Sequence, residues 1–284
     1  MSVVSASRTW YAPPMLPNEF DIAGKVVLVT GAGRGIGSGI AEVLAEAGAT
    51  VAINALTPKF AEPTARAIRE RATDNAQPRT GVVDVFLGDV TQTAGAESIV
   101  QSVLDRFGRI DVLINNLGDA IMEPLVALPE TKTHTIDDQR LQHILDLNMM
   151  ATLRCTRAVG PHFLERRSGK VINIGSYTVA RSGARVVIYT AAKAAVEGFT
   201  RAQALEWARY NIQVNAIAPG LFPEPRVQTE ESARATEQFV ARVAPLGRAG
   251  RLREVGLLAL YLASSASDYM TGQTLYLDGG ASIR

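Results

Sequence analysis

Residues 30–37 of this 284-residue chain, Thr-Gly-Ala-Gly-Arg-Gly-Ile-Gly, decide the fold. They follow an apolar, β-branched run, KVVLVT at 25–30, and they lead into IGSGIAEVLAEAG at 36–48, where apolar residues recur at helical spacing. Glycines between a strand and a helix let the backbone approach a pyrophosphate at the helix N-terminus. The stretch therefore predicts a dinucleotide site. A plain tight turn stays the alternative, because the GxGxxG fingerprint would place its third glycine at Ile36.

Short apolar runs continue to alternate with helical patterns along the rest of the chain. This alternation is typical of βαβ units whose parallel sheet is buried on both faces. The predicted strands are 25–30, 50–54, 82–90, 111–116, 170–175, 212–218 and 274–278. We therefore expect an α/β fold, a Rossmann-type doubly wound parallel sheet of seven strands in a single domain.

Domain limits follow from the remaining segments. Residues 1–20 carry three prolines and no apolar run of signal-peptide length, so we expect an N-terminal extension; the prolines also disfavour a transit-peptide helix. Residues 21–284 are predicted to form the catalytic domain. Two segments lack clear periodicity: 72–81, expected to be a surface loop, and 219–250, which follows the sixth strand and is expected to be a substrate lid.

Composition excludes several classes of protein. Hydrophobic residues make up 47% of the chain and charged residues 20%, which excludes a disordered chain. The 29 Lys and Arg residues nearly balance the 28 Asp and Glu residues, so the net charge creates no strong electrostatic field that would favour binding to nucleic acid or to an anionic membrane. One cysteine and three histidines provide neither a disulfide nor a spaced set of metal ligands. We expect a soluble cytoplasmic protein without metal, nucleic-acid or membrane partners.

Tyr189 and Lys193 stand four residues apart in a predicted helix, so their side chains emerge on one face. A neighbouring ammonium is expected to lower the pKa of the phenol and make it a usable acid or base. Ser176 follows the fifth strand, where a hydroxyl can donate to a substrate oxygen. The alternatives are a solvated Tyr–Lys pair and a turn serine.

Taken in order, the motifs resemble those of the short-chain dehydrogenase/reductase family over about residues 20–280. The matching features are TGxxxGIG at 30–37, Asp89-Val90, Asn115-Asn116-Leu117-Gly118, Asn148, Gly175-Ser176, Tyr189 with Lys193, and Pro219-Gly220. Two departures concern the cofactor path. Leu117 replaces the family's alanine, and Glu224 stands near the place of its usual threonine after Pro-Gly.

The resemblance implies hydride transfer between a nicotinamide and a ketone or secondary alcohol. Tyr189 would protonate the oxygen, Ser176 would polarise it, Lys193 would also bond the nicotinamide ribose, and Asn148 would hold a water that links Lys193 to solvent. The family's enoyl-reductase branch, with Tyr and Lys farther apart, fits less well. The implied cofactor-binding residues are Gly31, Arg34, Gly35, Ile36, Gly37, Asn54, Asp89, Val90, Asn115, Gly118, Tyr189, Lys193, Pro219 and Gly220.

Cofactor choice depends on the end of the second strand. Asn54-Ala55-Leu56 offers no acid for a ribose 2′-OH, and Arg34 is placed to meet a 2′-phosphate, so NADP is favoured and NAD stays possible. The alternative functions are an NAD-dependent alcohol dehydrogenase of the same family and a non-catalytic dinucleotide-binding sensor. The family also implies a homotetramer, paired through its fourth and fifth helices, here about 137–167 and 188–210, with a small-molecule carbonyl or alcohol as substrate.

Overall fold

A parallel sheet of seven strands is the centre of the computed structural model, which describes residues 18–74, 81–129 and 135–284. The strands are β1 Val26–Val29, β2 Thr50–Ala55, β3 Val83–Leu87, β4 Val112–Asn115, β5 Gly169–Ile174, β6 Ile212–Pro219 and β7 Thr274–Leu277. Their order across the sheet is β3-β2-β1-β4-β5-β6-β7. The predicted doubly wound α/β fold is confirmed.

Helices cover both faces of the sheet. They are α1 Gly35–Glu46, α2 Pro58–Asp74, α3 Thr93–Phe107, α4 Asp138–Leu145, α5 Ala151–Arg166, α6 Val187–Trp207, α7 Glu230–Val243 and α8 Leu252–Ala263. One apolar core joins α1, α2 and α8 to the sheet, and a second joins α3, α5 and α6 to its other face. Because both faces are buried, the central strands β1 and β4 are apolar without alternation.

The segment 219–250 contains a helix that its sequence does not reveal. Helix α7 is polar on most of its surface, so no long apolar stripe marks it. Its start is fixed locally, since the Thr229 hydroxyl accepts from the Ser232 N–H at 3.2 Å and the Ser232 hydroxyl accepts from the Thr229 N–H at 2.9 Å.

The predicted surface loop at 72–81 is partly wrong, because 72–74 belong to α2. Gly81 lies outside any helix or strand as expected, and 75–80 lie outside the described residues, as does most of the predicted N-terminal extension, 1–17. Residues 18–20 form a short turn against the domain, where the Ser265 hydroxyl donates to the Glu19 carbonyl at 3.0 Å. The boundary at residue 20 therefore stays a prediction.

Asn148 lies in an interruption between two helices. Residues Asp146–Met150 form one π turn that joins α4 to α5. Such turns recur at functional sites because they rotate one side chain out of the helical register. Within the part of the chain that the structure describes, no helix is long and apolar enough to cross a membrane.

Candidate active site

The carboxyl ends of the parallel strands meet at one edge of the sheet. From β1 the strand order runs through β2 to β3 at one edge of the sheet, and from β4 it runs through β5 and β6 to β7 at the other edge. A crevice therefore opens between the ends of the neighbouring strands β1 and β4. In open parallel sheets, ligands bind at this switch point. The loops after β1, β4, β5 and β6 carry most of the residues predicted from the sequence.

The glycine loop after β1 is shaped for close approach of a ligand. Gly31 and Gly35 adopt positive φ of 62° and 58°, and a Cβ at Gly35 would face open space. At Gly37, a Cβ would lie 2.5 Å from the Asn116 amide nitrogen, so only glycine fits there. The N–H groups at the start of α1 have no intrahelical acceptor. A phosphate group fits this cradle, which supports a dinucleotide.

Asn116 and Thr30 fasten this loop to the end of β4. The Asn116 amide donates to the carbonyls of Thr30 at 2.9 Å and Gly31 at 3.1 Å. The Thr30 hydroxyl accepts from the N–H groups of Asn116 at 3.0 Å and Leu117 at 3.2 Å. Sequence reasoning missed both as positioning residues, although their motifs had been noted. The Leu117 side chain packs partly into the second core and reaches Gly31, where its Cδ1 would lie 3.1 Å from a Cβ.

Tyr189 and Ser176 lie together at the end of β5. Ser176 follows Gly175 and caps a short turn, where its hydroxyl accepts from the Thr178 N–H at 3.2 Å and the Thr178 hydroxyl at 2.9 Å. The same hydroxyl lies close enough to the Tyr189 phenol to lower its pKa. The turn role and the active-site role are therefore compatible in one residue.

Lys193 and Asn148 meet beside Gly118. The Lys193 ammonium is buried, with 3% of the residue exposed, and donates to the Ile174 carbonyl at 2.9 Å. A Cβ at Gly118 would lie 3.0 Å from Lys193 Nζ and 2.5 Å from Asn148 Oδ1. The Asn148 amide donates to the carbonyls of Asp119 at 2.8 Å and Ile144 at 3.0 Å, but its Oδ1 is buried without a partner among the described residues. A bridging water would satisfy this oxygen and fits the predicted role of Asn148.

The pKa of the Tyr189 phenol is raised, not lowered as expected, and the charge of Lys193 is not among the causes of this shift. Burial raises the pKa of Tyr189, the neighbouring Ser176 hydroxyl lowers it, and the charge of Asp119 raises it, so the net pKa is raised. Lys193 Nζ lies 5.8 Å from the centre of the Tyr189 ring and is directed to the Ile174 carbonyl. Burial also lowers the pKa of Lys193 to about 8.

Two cations lie near the end of β2. The Arg34 guanidinium is 5.4 Å and the Lys59 ammonium 5.2 Å from the centre of the Phe60 ring. Lys59 belongs to the first turn of α2. No acid occupies 54–56, and Leu56 is 69% exposed. This edge therefore favours a phosphate over a free hydroxyl.

Comparisons with known proteins agree with this geometry. Residues 31–282 match a family model described as enoyl-(acyl carrier protein) reductase. The chain belongs to the short-chain dehydrogenase/reductase family. It is 34% identical to a 2-dehydro-3-deoxy-D-gluconate 5-dehydrogenase of Dickeya dadantii over 94% of this chain and 98% of that protein. It is 32% identical to a 3-oxoacyl-(acyl-carrier-protein) reductase of Thermotoga maritima over 92% and 99%. The crystal structure of a gluconate 5-dehydrogenase from Burkholderia cenocepacia in complex with NADP and tartrate superposes with a TM-score of 0.79, 32% identity and coverage of 94% and 98%.

Several of the other predicted cofactor residues of this family member use their side chains in hydrogen bonds within the chain. The Asn115 amide donates to Thr156 and to Asn173, each at 2.9 Å. Asn54 donates to the carbonyls of Phe86 and Gly88, both at 3.2 Å. Ile36 and Val90 pack into the two cores, and the Asp89 carboxylate accepts from Thr91. Pro219 ends β6, and the Gly220 N–H donates to the Leu277 carbonyl. The Asn115 Oδ1 is buried without a partner among the described residues.

The segment after β6 bends over the glycine loop. Phe222 packs on Gly250, where a Cβ would lie 2.3 Å from its ring, and Glu224 and Arg226 bond to the loop itself. A cavity of about 330 Å³ lies under α7 and is lined by Tyr177, Phe222 and Val240 among others, without Tyr189 or Lys193. This cavity therefore lies beneath the segment 219–250, and the crevice beside Tyr189 is the candidate site of the reaction.

Proposed function

We propose that this protein is an oxidoreductase that transfers a hydride between NADP(H) and a ketone or secondary alcohol. The observation that carries the proposal is the grouping of Tyr189, Ser176, Lys193 and Asn148 at the strand edge that holds the glycine loop. A solvated Tyr–Lys pair on a helix would not place the ammonium in the interior. The four residues are proposed as the catalytic set.

Bound NADPH would supply the hydride at C4 of its nicotinamide. Tyr189 holds the proton that the substrate oxygen receives during reduction, and the Ser176 hydroxyl donates a hydrogen bond to the same oxygen. Lys193 lies one helical turn from Tyr189, where its ammonium favours the phenolate once the proton has left. The unpartnered Asn148 Oδ1 would hold a water through which Lys193 exchanges protons with solvent. In oxidation each role is reversed.

NADP is proposed over NAD on the charge at the end of β2. Arg34 and Lys59 converge on Phe60 there, and the guanidinium is exposed to an incoming 2′-phosphate. The structure from Burkholderia cenocepacia supports the proposal because it holds NADP. Its tartrate, and the hydroxy-acid and oxoacyl substrates in the names of the relatives, define the compounds to try first.

The test is a panel of ketones and secondary alcohols that includes keto and hydroxy acids and 3-oxoacyl thioesters. Purified protein is mixed with NADPH or NADP and each compound, and absorbance is followed at the nicotinamide band. We expect turnover with at least one compound class and a higher kcat/KM with NADPH than with NADH. Cofactor binding without turnover across the panel would favour the non-catalytic sensor.

A homotetramer in the cytoplasm completes the proposal. Between α5 and α6 lies an open groove of about 570 Å³, lined by apolar side chains that include Leu153, Phe199 and Trp207. A partly buried apolar groove of this kind could receive apolar side chains of a second copy of the chain. The free thiol of Cys155 is buried, and burial raises its pKa to about 12, which suits a reducing compartment without requiring one.

A further inference from the structure

The lid segment places a carboxylate where the cofactor's phosphates are expected. Glu224 Oε2 accepts from the N–H of Gly35, the first residue of α1, across 189 positions of sequence. That N–H belongs to the glycine loop and has no acceptor within its helix. One N–H donor of the phosphate cradle is therefore already occupied by an anion, and this anion is the carboxylate of a residue of the same chain.

Arg226 holds this carboxylate in place. Its Nε lies 3.0 Å from Glu224 Oε1 and its Nη2 lies 3.0 Å from Oε2, so the pair is bidentate. The guanidinium also donates to Thr64 Oγ1 at 2.8 Å, to Ser38 Oγ at 3.2 Å and to the Gly33 carbonyl at 3.4 Å. Arg226 thereby ties the lid to the glycine loop and to α1 and α2.

Glu224 is ionised in this setting. Its side chain is only 9% exposed, and although burial opposes ionisation, the bonds from Arg226 and Gly35 lower the pKa of Glu224 to about 2. At neutral pH a full negative charge thus lies on the loop. A phosphate that approaches the same donor must displace the carboxylate or be repelled by it.

We propose that Glu224 is an internal competitor of the dinucleotide phosphates, and that cofactor binding exchanges the carboxylate for a phosphate while Arg226 passes from Glu224 to the cofactor. The exchange would set the affinity for NADPH and would release the lid from the glycine loop as the cofactor enters. This inference rests on the proposed function, since it presupposes that the loop binds a dinucleotide.

The test measures NADPH binding by fluorescence titration, without substrate. Glu224→Gln keeps the size of the side chain but removes its charge, so we expect NADPH to bind about 10-fold more tightly, because a charge-assisted bond no longer has to be broken. Glu230→Gln is the matched control, since it removes the same charge from a side chain that is 92% exposed at the start of α7. Its affinity should equal that of the wild type.

Arg226 is tested in the Glu224→Gln background, where it has no carboxylate partner. If it passes to the phosphate, adding Arg226→Ala should weaken NADPH binding several-fold relative to Glu224→Gln alone. ADP-ribose, which keeps the pyrophosphate but lacks the nicotinamide, should show the same pattern. Melting temperatures of the variants establish that each one is folded.

Three results would overturn the inference. If the wild type binds NADPH and Glu224→Gln binds it no more tightly, Glu224 does not compete, while the proposed function stands. If the wild type binds neither NADPH nor NADH, both the exchange and the proposed function are wrong. Looser binding by Glu224→Gln would instead make Glu224 a residue that supports the cofactor, which also contradicts the exchange.

Discussion

Single side chains carry the proposed chemistry, and burial dominates their protonation. Tyr189 and Lys193 are both shifted toward their neutral forms, the phenol by a raised pKa and the amine by a lowered one. A phenol kept neutral is ready to donate a proton in the reducing direction. Oxidation needs the phenolate and should therefore gain rate at higher pH.

Replacing Tyr189 by Phe removes the proton donor and keeps the ring. We expect kcat to fall by about 100-fold or more, the range of general acid–base catalysis, while the Kd for NADPH stays nearly unchanged. Steady-state kinetics with a substrate from the panel, together with a binding titration, would measure both. Turnover close to the wild type would remove Tyr189 from the mechanism.

Lys193 should lower the stability of the fold in a pH-dependent way. Its pKa is about 8 in the folded chain and ordinarily 10.5, so below pH 8 the fold bears the full cost of a buried ammonium, up to about 3 kcal/mol. Between pH 8 and 10.5 the unfolded chain holds more protons, and the cost disappears. We expect Lys193→Met to be more stable than the wild type at pH 7. This advantage in unfolding free energy should shrink as the pH rises to 10.

Urea titrations at several pH values would measure that difference. Lys59→Met, a change at an exposed lysine, is the matched control. If the difference in unfolding free energy between variant and wild type stays constant between pH 7 and 10, burial does not lower the pKa of Lys193.

At the level of elements, cofactor choice depends on where α1 and α2 begin. Arg34 precedes α1 and Lys59 lies in the first turn of α2, so the two cations share the proposed 2′-phosphate. We expect Arg34→Ala to lower the ratio of kcat/KM for NADPH over NADH by about 10-fold, and the Arg34→Ala, Lys59→Ala pair by up to about 100-fold. Both cofactors should be compared at one salt concentration, because salt screens the phosphate contact.

Arg66→Ala is the control for the ratio of kcat/KM with NADPH over NADH, because it removes an exposed cation from α2, the helix that carries Lys59. Equal losses for NADPH and NADH in Arg34→Ala would mean that Arg34 lies on the loop without meeting a phosphate.

The elements also show how far sequence reasoning reaches. All seven strands were predictable because each contains a short run rich in β-branched and apolar residues. Helix α7 was not, since a polar surface helix has no apolar stripe to mark it. The π turn at Asn148 and the bond from Gly35 to Glu224 depend on packing between distant segments, which no local pattern encodes. The proposed catalytic residues were identified by motif order, whereas the pKa direction of Tyr189 required its burial to be known.

For the whole molecule, the groove between α5 and α6 predicts assembly. We expect sedimentation at micromolar concentration to give a tetramer, and Phe199→Arg to give a smaller species because a charge enters an apolar contact. Glu230→Gln should sediment as the same oligomer as the wild type. A monomeric wild type would end the proposal of a tetramer.

Transfer of label tests the proposed activity most directly. NADPH carrying deuterium on the transferred face of C4 is incubated with the protein and the ketone that the panel identifies, and the alcohol is analysed by mass spectrometry. We predict one deuterium on the carbinol carbon of the product, at a rate that falls about 100-fold or more in Tyr189→Phe. A protein that binds NADPH but transfers no deuterium to any ketone of the panel would contradict the assignment as an oxidoreductase.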